Sequence, residues 1–318
     1  MDAGIFDAVN DSTIKLWKAD TVLGPNTLKN PMCVVANYLF DTLYHDIFQV
    51  NADNILMEGL VSTGSKNLDD NDKDPLDPEI IQRFANKYEY KPVEDVNTYY
   101  PDEEGDAIHI ARVLQWYTDF YSKLNAENDK AGASVLLPIG GLRAIRRLSK
   151  MSNERMIVIS GDKGNNNPEQ FTGLSDPHIA IHGSFSLMVN YHAIGAYFTS
   201  KGGFALHNFQ DEASLKVSCF MMTGDNSNTN TNGIAPEDIH LLSTNSAEDL
   251  YQDKLYERDY KRQEQFPQLT QTFNDFVQTF GPNDFFMIQK GIKEDISNPP
   301  LRTIIALLKL SDWDTDVF

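Results

Sequence analysis

The chain has 318 residues, of which 41% are hydrophobic and 11% aromatic, so it is long enough and apolar enough to bury an ordinary core. Its formal charge of −19 at pH 7 argues against nucleic acid or an anionic membrane as the main partner, because both would repel so acidic a surface. The charge favours a basic protein or a small cation as partner.

Cysteine and histidine usage argues against a disulfide or a metal site. Cys33 and Cys219 each lie within an apolar run, which predicts two small buried side chains and an intracellular, reducing compartment. His178, His182 and His192 have no cysteine or acidic residue spaced to complete a zinc site, so no metal is expected. The acidic start "MDAGIFDAVNDSTIK" and the absence of a long apolar run predict neither a targeting peptide nor a membrane span.

The first strong apolar run is "MCVVA", residues 32 to 36. Its unbroken β-branched and hydrophobic content predicts a strand that is covered on both faces in a parallel sheet. The segment "FDTLYHDIF" that follows is compatible with the start of a helix. Residues 48 to 62 are typical of a hairpin with "NADN" as its turn.

The composition changes after this hairpin. Residues 66 to 106 hold thirteen acidic against five basic side chains, which predicts a solvated acidic insertion at about residues 64 to 105. A helix is predicted from about 106 to 127, because apolar residues recur there at steps of three and four. The stretches "SVLLPIGG" and "LRAIRRLSKMS" are typical of a buried strand and a helix.

The stretch "RMIVISGDKG" repeats the first pattern, because an apolar strand again leads to a small polar turn. In open parallel sheets, ligands bind in the crevice at the carboxyl ends of the strands. We therefore expect Asn37, Asp41, Asp162 and Gly164 to converge on one site. The structural alternative is that Asn37 ends a strand, Asp41 caps or begins a helix, and Asp162 belongs to an ordinary turn.

The remaining elements complete an α/β pattern. The clearest helix is predicted in "HGSFSLMVNYHAIGAYFTSKGG", with Ser184 as its cap and Gly202 as its stop. The runs "GFALHNF" and "LKVSCFMM" are close enough to pair antiparallel. Residues 236 to 318, beyond a polar linker, are predicted to be mostly helical.

Two of these motifs resemble the MidA family of S-adenosylmethionine-dependent methyltransferases. The segment "VVANYLFDTLYHDIF" is similar to the "ANE-x-x-D-x-L … F" that follows the family's fourth strand. The matching residues are Ala36, Asn37, Asp41, Leu43 and Phe48, with Tyr38 in the place of the family's glutamate. "MIVISGDKG" resembles the fifth strand and its "DYG" through Asp162 and Gly164. The resemblance covers about residues 30 to 225.

The resemblance implies a fold, a cofactor and an activity. The fold is a Rossmann-like class I methyltransferase sheet in residues 1 to 235, with a helical C-terminal extension in residues 236 to 318. S-adenosylmethionine would be bound by Ala36, Asn37 and Tyr38. The implied catalytic residues are Asn37, Asp41 and Asp162. They would orient the acceptor nitrogen of a basic protein side chain, and arginine is the expected acceptor. The family includes a mitochondrial assembly factor for respiratory complex I, so the implied compartment is the cytoplasm or the mitochondrion.

One departure from the family pattern affects both fold and function. Such enzymes hold the cofactor on a glycine-rich turn after the first strand, and only about thirty residues, without such a turn, precede "MCVVA". The sequence is therefore expected to lack the first strands, which would leave "MCVVA" as an edge with exposed apolar side chains. The alternative function is a non-catalytic assembly or interaction protein on a degenerate methyltransferase fold.

Overall fold

The computed structural model describes residues 1–66, 76, 80–101, 105–127, 131–181, 185–207, 215–224, 263–294 and 297–315. The strands are β1 (Ile14–Leu16), β2 (Thr21–Leu23), β3 (Met32–Asn37), β4 (Asp46–Val50), β5 (Leu56–Ser65), β6 (Phe84–Pro92), β7 (Ala133–Leu137), β8 (Arg155–Asn165), β9 (Ala180–Ile181), β10 (Phe185–Ser186), β11 (Val189–Asn190), β12 (Phe204–His207) and β13 (Leu215–Thr223). The α-helices are α1 (Val96–Tyr99), α2 (Ala107–Glu127), α3 (Ile139–Met151), α4 (Tyr191–Ser200), α5 (Pro267–Gln278), α6 (Pro282–Glu294) and α7 (Leu301–Leu310). Short 3-10 helices lie at Phe40–Thr42, Ile80–Arg83 and Pro168–Phe171.

The central sheet has mixed strand directions in the order β3–β8–β13–β12. β3 runs parallel to β8, with Ala36 opposite Ser160 and Asn37 opposite Gly161. β13 is antiparallel to both β8 and β12, and the short β11 pairs in parallel with the end of β8. The predicted antiparallel pair of "GFALHNF" and "LKVSCFMM" is thus confirmed, and the protein is a mixed α/β protein.

A second sheet is antiparallel, in the order β6–β5–β4–β7. The side chain of Asn51 accepts hydrogen bonds from the backbone N–H groups of Asp53 and Ile55, which stabilises the turn between β4 and β5. The hairpin predicted at residues 48 to 62 and the strand predicted in "SVLLPIGG" are confirmed. β6 lies inside the predicted acidic insertion and pairs with β5 along its whole length.

The main core lies on one face of the central sheet. Side chains alternate along β8, so Met156 and Val158 point into this core, where α3 and α4 cover them. Phe198 of α4 packs against Phe220 of β13, with ring centroids 5.3 Å apart. Full burial of each such aromatic ring contributes on the order of 2–3 kcal/mol. The helices predicted at 106 to 127 and in "LRAIRRLSKMS" are confirmed as α2 and α3.

The opposite face of the central sheet is covered over only part of its width by the residues that the structure describes. Phe273 of α5 packs on Phe204 of β12 and Cys219 of β13. At the other end of the sheet, Cys33 is exposed and Val35 keeps 74% of its surface accessible. The predictions that "MCVVA" is covered on both faces and that Cys33 is buried are therefore wrong, because Cys33 and Val35 lie on a face of β3 that stays exposed. The expected apolar edge is confirmed for the described residues.

Two helix predictions differ from the structure. After Phe40–Thr42 the segment "FDTLYHDIF" continues as β4, not as a helix, because β4 pairs with β5 on one side and β7 on the other. The helix predicted from Ser184 begins only at Tyr191, because the side chain of Asn190 caps it by accepting a hydrogen bond from the Ala193 N–H. Ser184 itself lies outside the described residues. The predicted stop at Gly202 is confirmed, since its φ of +82° suits glycine.

No helix in the described ranges has both the length and the apolar character that crossing a bilayer requires.

Candidate functional site at the strand ends

The chain turns sharply where β3 ends beside β8. Asn37 is the last residue of β3, and the backbone N–H of Tyr38 donates to the carbonyl of Gly161 at 3.0 Å. Tyr38 has a φ of +50°, in the left-handed region that non-glycine residues rarely adopt. This turn leads directly into the short helix Phe40–Thr42 and brings Asp41 onto β8.

Asp41 and Asp162 meet at this point, although 121 positions separate them in the sequence. The Asp41 N–H donates to Asp162 Oδ2 at 3.2 Å, and the Lys163 N–H donates to Asp162 Oδ1 at 2.8 Å. The Asp41 carboxyl group is close enough to Asp162 to influence its pKa. Asp41 is 9% exposed and Asp162 is fully buried, so water screens the pair poorly.

The electrostatics of the pair favour a retained proton. Burial, and then the neighbouring charge of Asp41, raises the pKa of Asp162 to about 6, although backbone N–H groups of Asp41 and Lys163 act in the opposite direction. Asp41 Oδ1 is buried without a hydrogen-bond partner among the described residues. A proton shared between the carboxyls, or an N–H donor of a bound molecule, would satisfy this oxygen.

Ser160 and Tyr191 lie on the buried side of the site, next to Asp162. The Ser160 hydroxyl lies 2.8 Å from the Tyr191 hydroxyl. Burial raises the pKa of Tyr191, and the nearby carboxylates raise it further, so the phenol remains neutral. Gly164 has no room for a side chain, since a Cβ there would lie 2.4 Å from the Val189 carbonyl oxygen and 2.9 Å from the Tyr191 ring. Neither Ser160 nor Tyr191 was predicted from the sequence as a site residue.

The five residues predicted for catalysis and cofactor binding differ in how accessible they are. Asn37 and Tyr38 are exposed, and their side chains could contact a ligand directly. Ala36 is 3% exposed and faces the core, so it can offer a ligand only its backbone. Of the structural alternative, Asn37 does end β3 and Asp41 lies in the first turn of the short helix Phe40–Thr42. The assignment of Asp162 to a turn is wrong, because Asp162 lies within β8.

The predicted histidines are not grouped. His192 is buried, and its Nδ1 lies 2.8 Å from the hydroxyl of Tyr117. Burial, and to a smaller extent the charge of His207, lowers the pKa of His192 to about 3, so its ring is neutral. His178 is exposed, and His182 lies outside the described residues. The described part of the chain holds no group of three side chains that could bind a metal ion.

Comparisons of the chain with protein-family models, with curated proteins and with solved structures found no match.

Proposed function

We propose that the protein is an S-adenosylmethionine-dependent methyltransferase that acts on a nitrogen of a basic protein side chain, with arginine as the expected acceptor. The observation that carries the proposal is the contact between Asp41 and Asp162 beside the carboxyl end of β3, where β3 runs parallel to β8. Ligands of open α/β sheets bind outside this end of the strands. The acidic chain would also attract a basic substrate.

The architecture of the central sheet supports the same proposal. Two parallel strands, β3 and β8, precede a terminal hairpin, and the second strand of this hairpin, β13, lies between β8 and β12. The class I methyltransferase sheet also finishes in a hairpin after its fifth strand. Helices α3 and α4 would correspond to one of the two helical layers of a Rossmann-like sheet, which has helices on both faces.

In methyl transfer, the protein would align the acceptor nitrogen with the methyl group of the cofactor and exclude water from both. The bound cofactor would supply the methyl group for a direct displacement, which needs no covalent intermediate with the protein. Asp41 Oδ1, which lacks a partner, could accept a hydrogen bond from a guanidinium N–H, and the Asn37 side-chain oxygen could accept a second. Asp162 would position Asp41 through their shared hydrogen bond.

The described residues offer the cofactor a possible contact at Tyr38 but no glycine cradle. Tyr38 offers an exposed ring on which the adenine of the cofactor could stack, and the exposed Asn37 precedes it at the end of β3. The glycines that open α3 offer no cradle, since a Cβ on Gly140 would lie 3.1 Å from backbone atoms of Tyr44 and one on Gly141 would lie 3.0 Å from the Phe40 ring. Protein atoms fill that space. The described residues therefore fit the acceptor side of the site.

A second candidate function is that of a non-catalytic assembly or interaction protein. The observation that favours it is the burial of both carboxyl groups, because a buried pair can also be a structural feature of the strand ends. The exposed apolar edge of β3 would then be the functional surface. The two candidates differ in one measurable property, which is transfer of a methyl group.

The protein purified in its native state should transfer radiolabelled methyl groups from S-adenosylmethionine to an arginine-rich peptide. Asn37→Ala should lower kcat/KM by about tenfold, the effect of losing one hydrogen bond that orients the substrate. Because Asn37 is exposed, its stability should not change. The matched control is Asn30→Ala, an exposed asparagine just before β3, which should keep full activity. The proposal would be contradicted if the peptide remained unlabelled or if Asn37→Ala and Asn30→Ala had equal kcat/KM.

A further inference from the structure

The carboxyl groups of Asp41 and Asp162 are closed off from solvent in the structure. Asp162 is fully buried, and Asp41 is buried together with its Oδ1 atom. The proposed function requires a substrate to reach Asp41 Oδ1, so part of the protein must move before the substrate binds. The inference below rests on the proposed function for the purpose of this motion, but the motion itself can be measured without cofactor or substrate.

The backbone of Asp41 holds three segments together. Its N–H donates to Asp162 Oδ2 of β8 at 3.2 Å. Its carbonyl oxygen accepts a hydrogen bond from the N–H of Leu187, between β10 and β11, also at 3.2 Å. Movement of Asp41 away from Asp162 would therefore break the contacts of the short helix with both β8 and the chain around Leu187.

Fixed points on either side of Asp41 limit how far the chain can move. Phe40 is 2% exposed and belongs to the main core. The carbonyl oxygen of Tyr44 accepts a hydrogen bond from the Gly140 N–H of α3 at 3.0 Å. Residues 41–43 lie between these two points, and Thr42 in their middle is exposed. A local opening can therefore be confined to residues 41–43 while the rest of the fold stays in place.

We propose that residues 41–43 form a proton-controlled gate over the Asp41–Asp162 site, which is closed while Asp162 keeps its proton and released when both carboxyl groups are charged. Two negative charges side by side repel each other strongly where water screens them poorly. Opening lets water reach both carboxyl groups and gives a basic side chain access to them. A bound cation then takes the place of the proton as the countercharge.

The pH range of the gate follows from Asp162. In the closed arrangement its pKa is raised to about 6 from 3.8, first by burial and then by the charge of Asp41. In the open arrangement, where water solvates the carboxyl group, we expect a pKa near the ordinary value. The closed arrangement thus keeps a proton that the open one loses, so its stability relative to the open arrangement decreases as the pH rises from about 4 through 6. The equilibrium constant for opening should increase about tenfold between pH 5 and pH 7.5.

Ionisable groups of several elements face Asp162. Asp41, from the short helix, is the neighbouring charge that raises the pKa of Asp162. Lys216 lies opposite Asp162 on β13 and is fully buried, so its positive charge moderates the repulsion between the carboxylates. Tyr191 of α4 stays neutral, because burial raises its pKa. Two further groups nearby are exposed, so water weakens their effect: Tyr38 and Lys163.

Amide hydrogen exchange of the full chain, read by NMR, tests the gate. The protection of the Asp41 and Leu187 amides, corrected for intrinsic exchange rates, should fall about tenfold from pH 5 to pH 7.5, because both hydrogen bonds break on opening. Addition of about 1 M urea should leave their protection unchanged, since a local opening exposes little surface. The control is the Ile55 amide, which donates to the Asn51 side chain in the turn between β4 and β5 and should be equally protected at both pH values.

Substitutions identify the titrating group. In Asp162→Asn the Asp41 and Leu187 amides should be equally protected at pH 5 and pH 7.5, because asparagine cannot ionise. Asp41→Asn keeps Asp162 ionisable but removes the neighbouring charge, so the pH effect on the Leu187 amide should be smaller than in the original protein.

Three results would overturn the inference. They are equal protection of both amides at the two pH values in the original protein, an undiminished pH effect in Asp162→Asn, and exchange that urea accelerates as strongly as that of the core amides of β8. The last result would mean that Asp41 separates from Asp162 only when the whole protein unfolds. No cofactor or substrate is present in these measurements, so failure of the gate and failure of methyl transfer are separate outcomes.

Discussion

Replacing Lys201 by methionine is expected to lower the free energy of unfolding by about 3–5 kcal/mol, the cost of breaking a buried ion pair from one side. Lys201 is 7% exposed at the end of α4, and its Nζ lies 3.1 Å from Asp106 Oδ1 and 3.0 Å from Glu154 Oε1. Burial alone would lower the pKa of this lysine, but the two carboxylates outweigh burial and raise it. The ammonium group is therefore charged in the folded protein.

Most of the lost stability should come from the buried Asp106 carboxylate, which the substitution leaves without the Lys201 charge. This carboxylate is 3% exposed and would keep one hydrogen bond, from the hydroxyl of Tyr197 at 2.6 Å, but no countercharge from Lys201. Glu154 is partly exposed, so water can solvate it after the substitution. Methionine has a similar length and fills the space, which limits any cavity effect.

Urea unfolding followed by circular dichroism at pH 7 measures this difference. Lys87→Met is the control, because Lys87 is exposed on β6 and its replacement should change stability by less than about 0.5 kcal/mol. A loss below about 1 kcal/mol for Lys201→Met would show that Asp106 is well solvated or otherwise compensated, contrary to the structure.

Replacing Asp162 by asparagine is expected to change the pH dependence of stability. The pKa of Asp162 is raised in the folded state to about 6 from an ordinary value of 3.8. The folded state therefore retains a proton that the unfolded chain loses, and the original protein loses stability as the pH rises from about 4 through 6. Two pKa units correspond to about 2–3 kcal/mol. Asparagine cannot ionise, so this loss should be absent in the variant.

The quantity to measure is the difference in unfolding free energy between Asp162→Asn and the original protein at several pH values. It should shift in favour of the variant by about 2–3 kcal/mol between pH 4 and pH 7.5. Any change in the unfolding free energy that the asparagine causes at all pH values cancels when two pH values are compared. Asp41→Asn is the matched variant, because removal of the neighbouring charge should weaken the pH dependence that Asp162 causes. A difference that is independent of pH would contradict a retained proton.

Local patterns in the sequence were enough to predict several elements. The periodicity of α2, the close spacing of β12 and β13 and the turn between β4 and β5 each depend on a few neighbouring residues. The pairing of β4 with β7 could not be predicted, because their partners lie more than eighty positions apart in the chain. The start of α4 at Asn190 and not at Ser184 depends on packing that the local pattern does not encode.

The candidate site was predictable to a similar degree. The strand-end rule indicated that Asp41 and Asp162 would converge, and they do. It did not indicate that both would be buried, since burial depends on how the chain turns at Tyr38. Ser160 could have been proposed as a site residue, because it lies two positions before Asp162 and so shares its face of β8. Nothing in the local sequence indicated Tyr191, which comes from α4.

The most direct test of the proposed function is calorimetric titration of the native protein with S-adenosylhomocysteine, the product form of the cofactor. The proposal predicts saturable binding of one molecule per chain, with weaker affinity for Asn37→Ala and unchanged affinity for Asn30→Ala. The absence of any binding heat from the native protein would contradict a methyltransferase and leave the interaction function as the explanation of the fold.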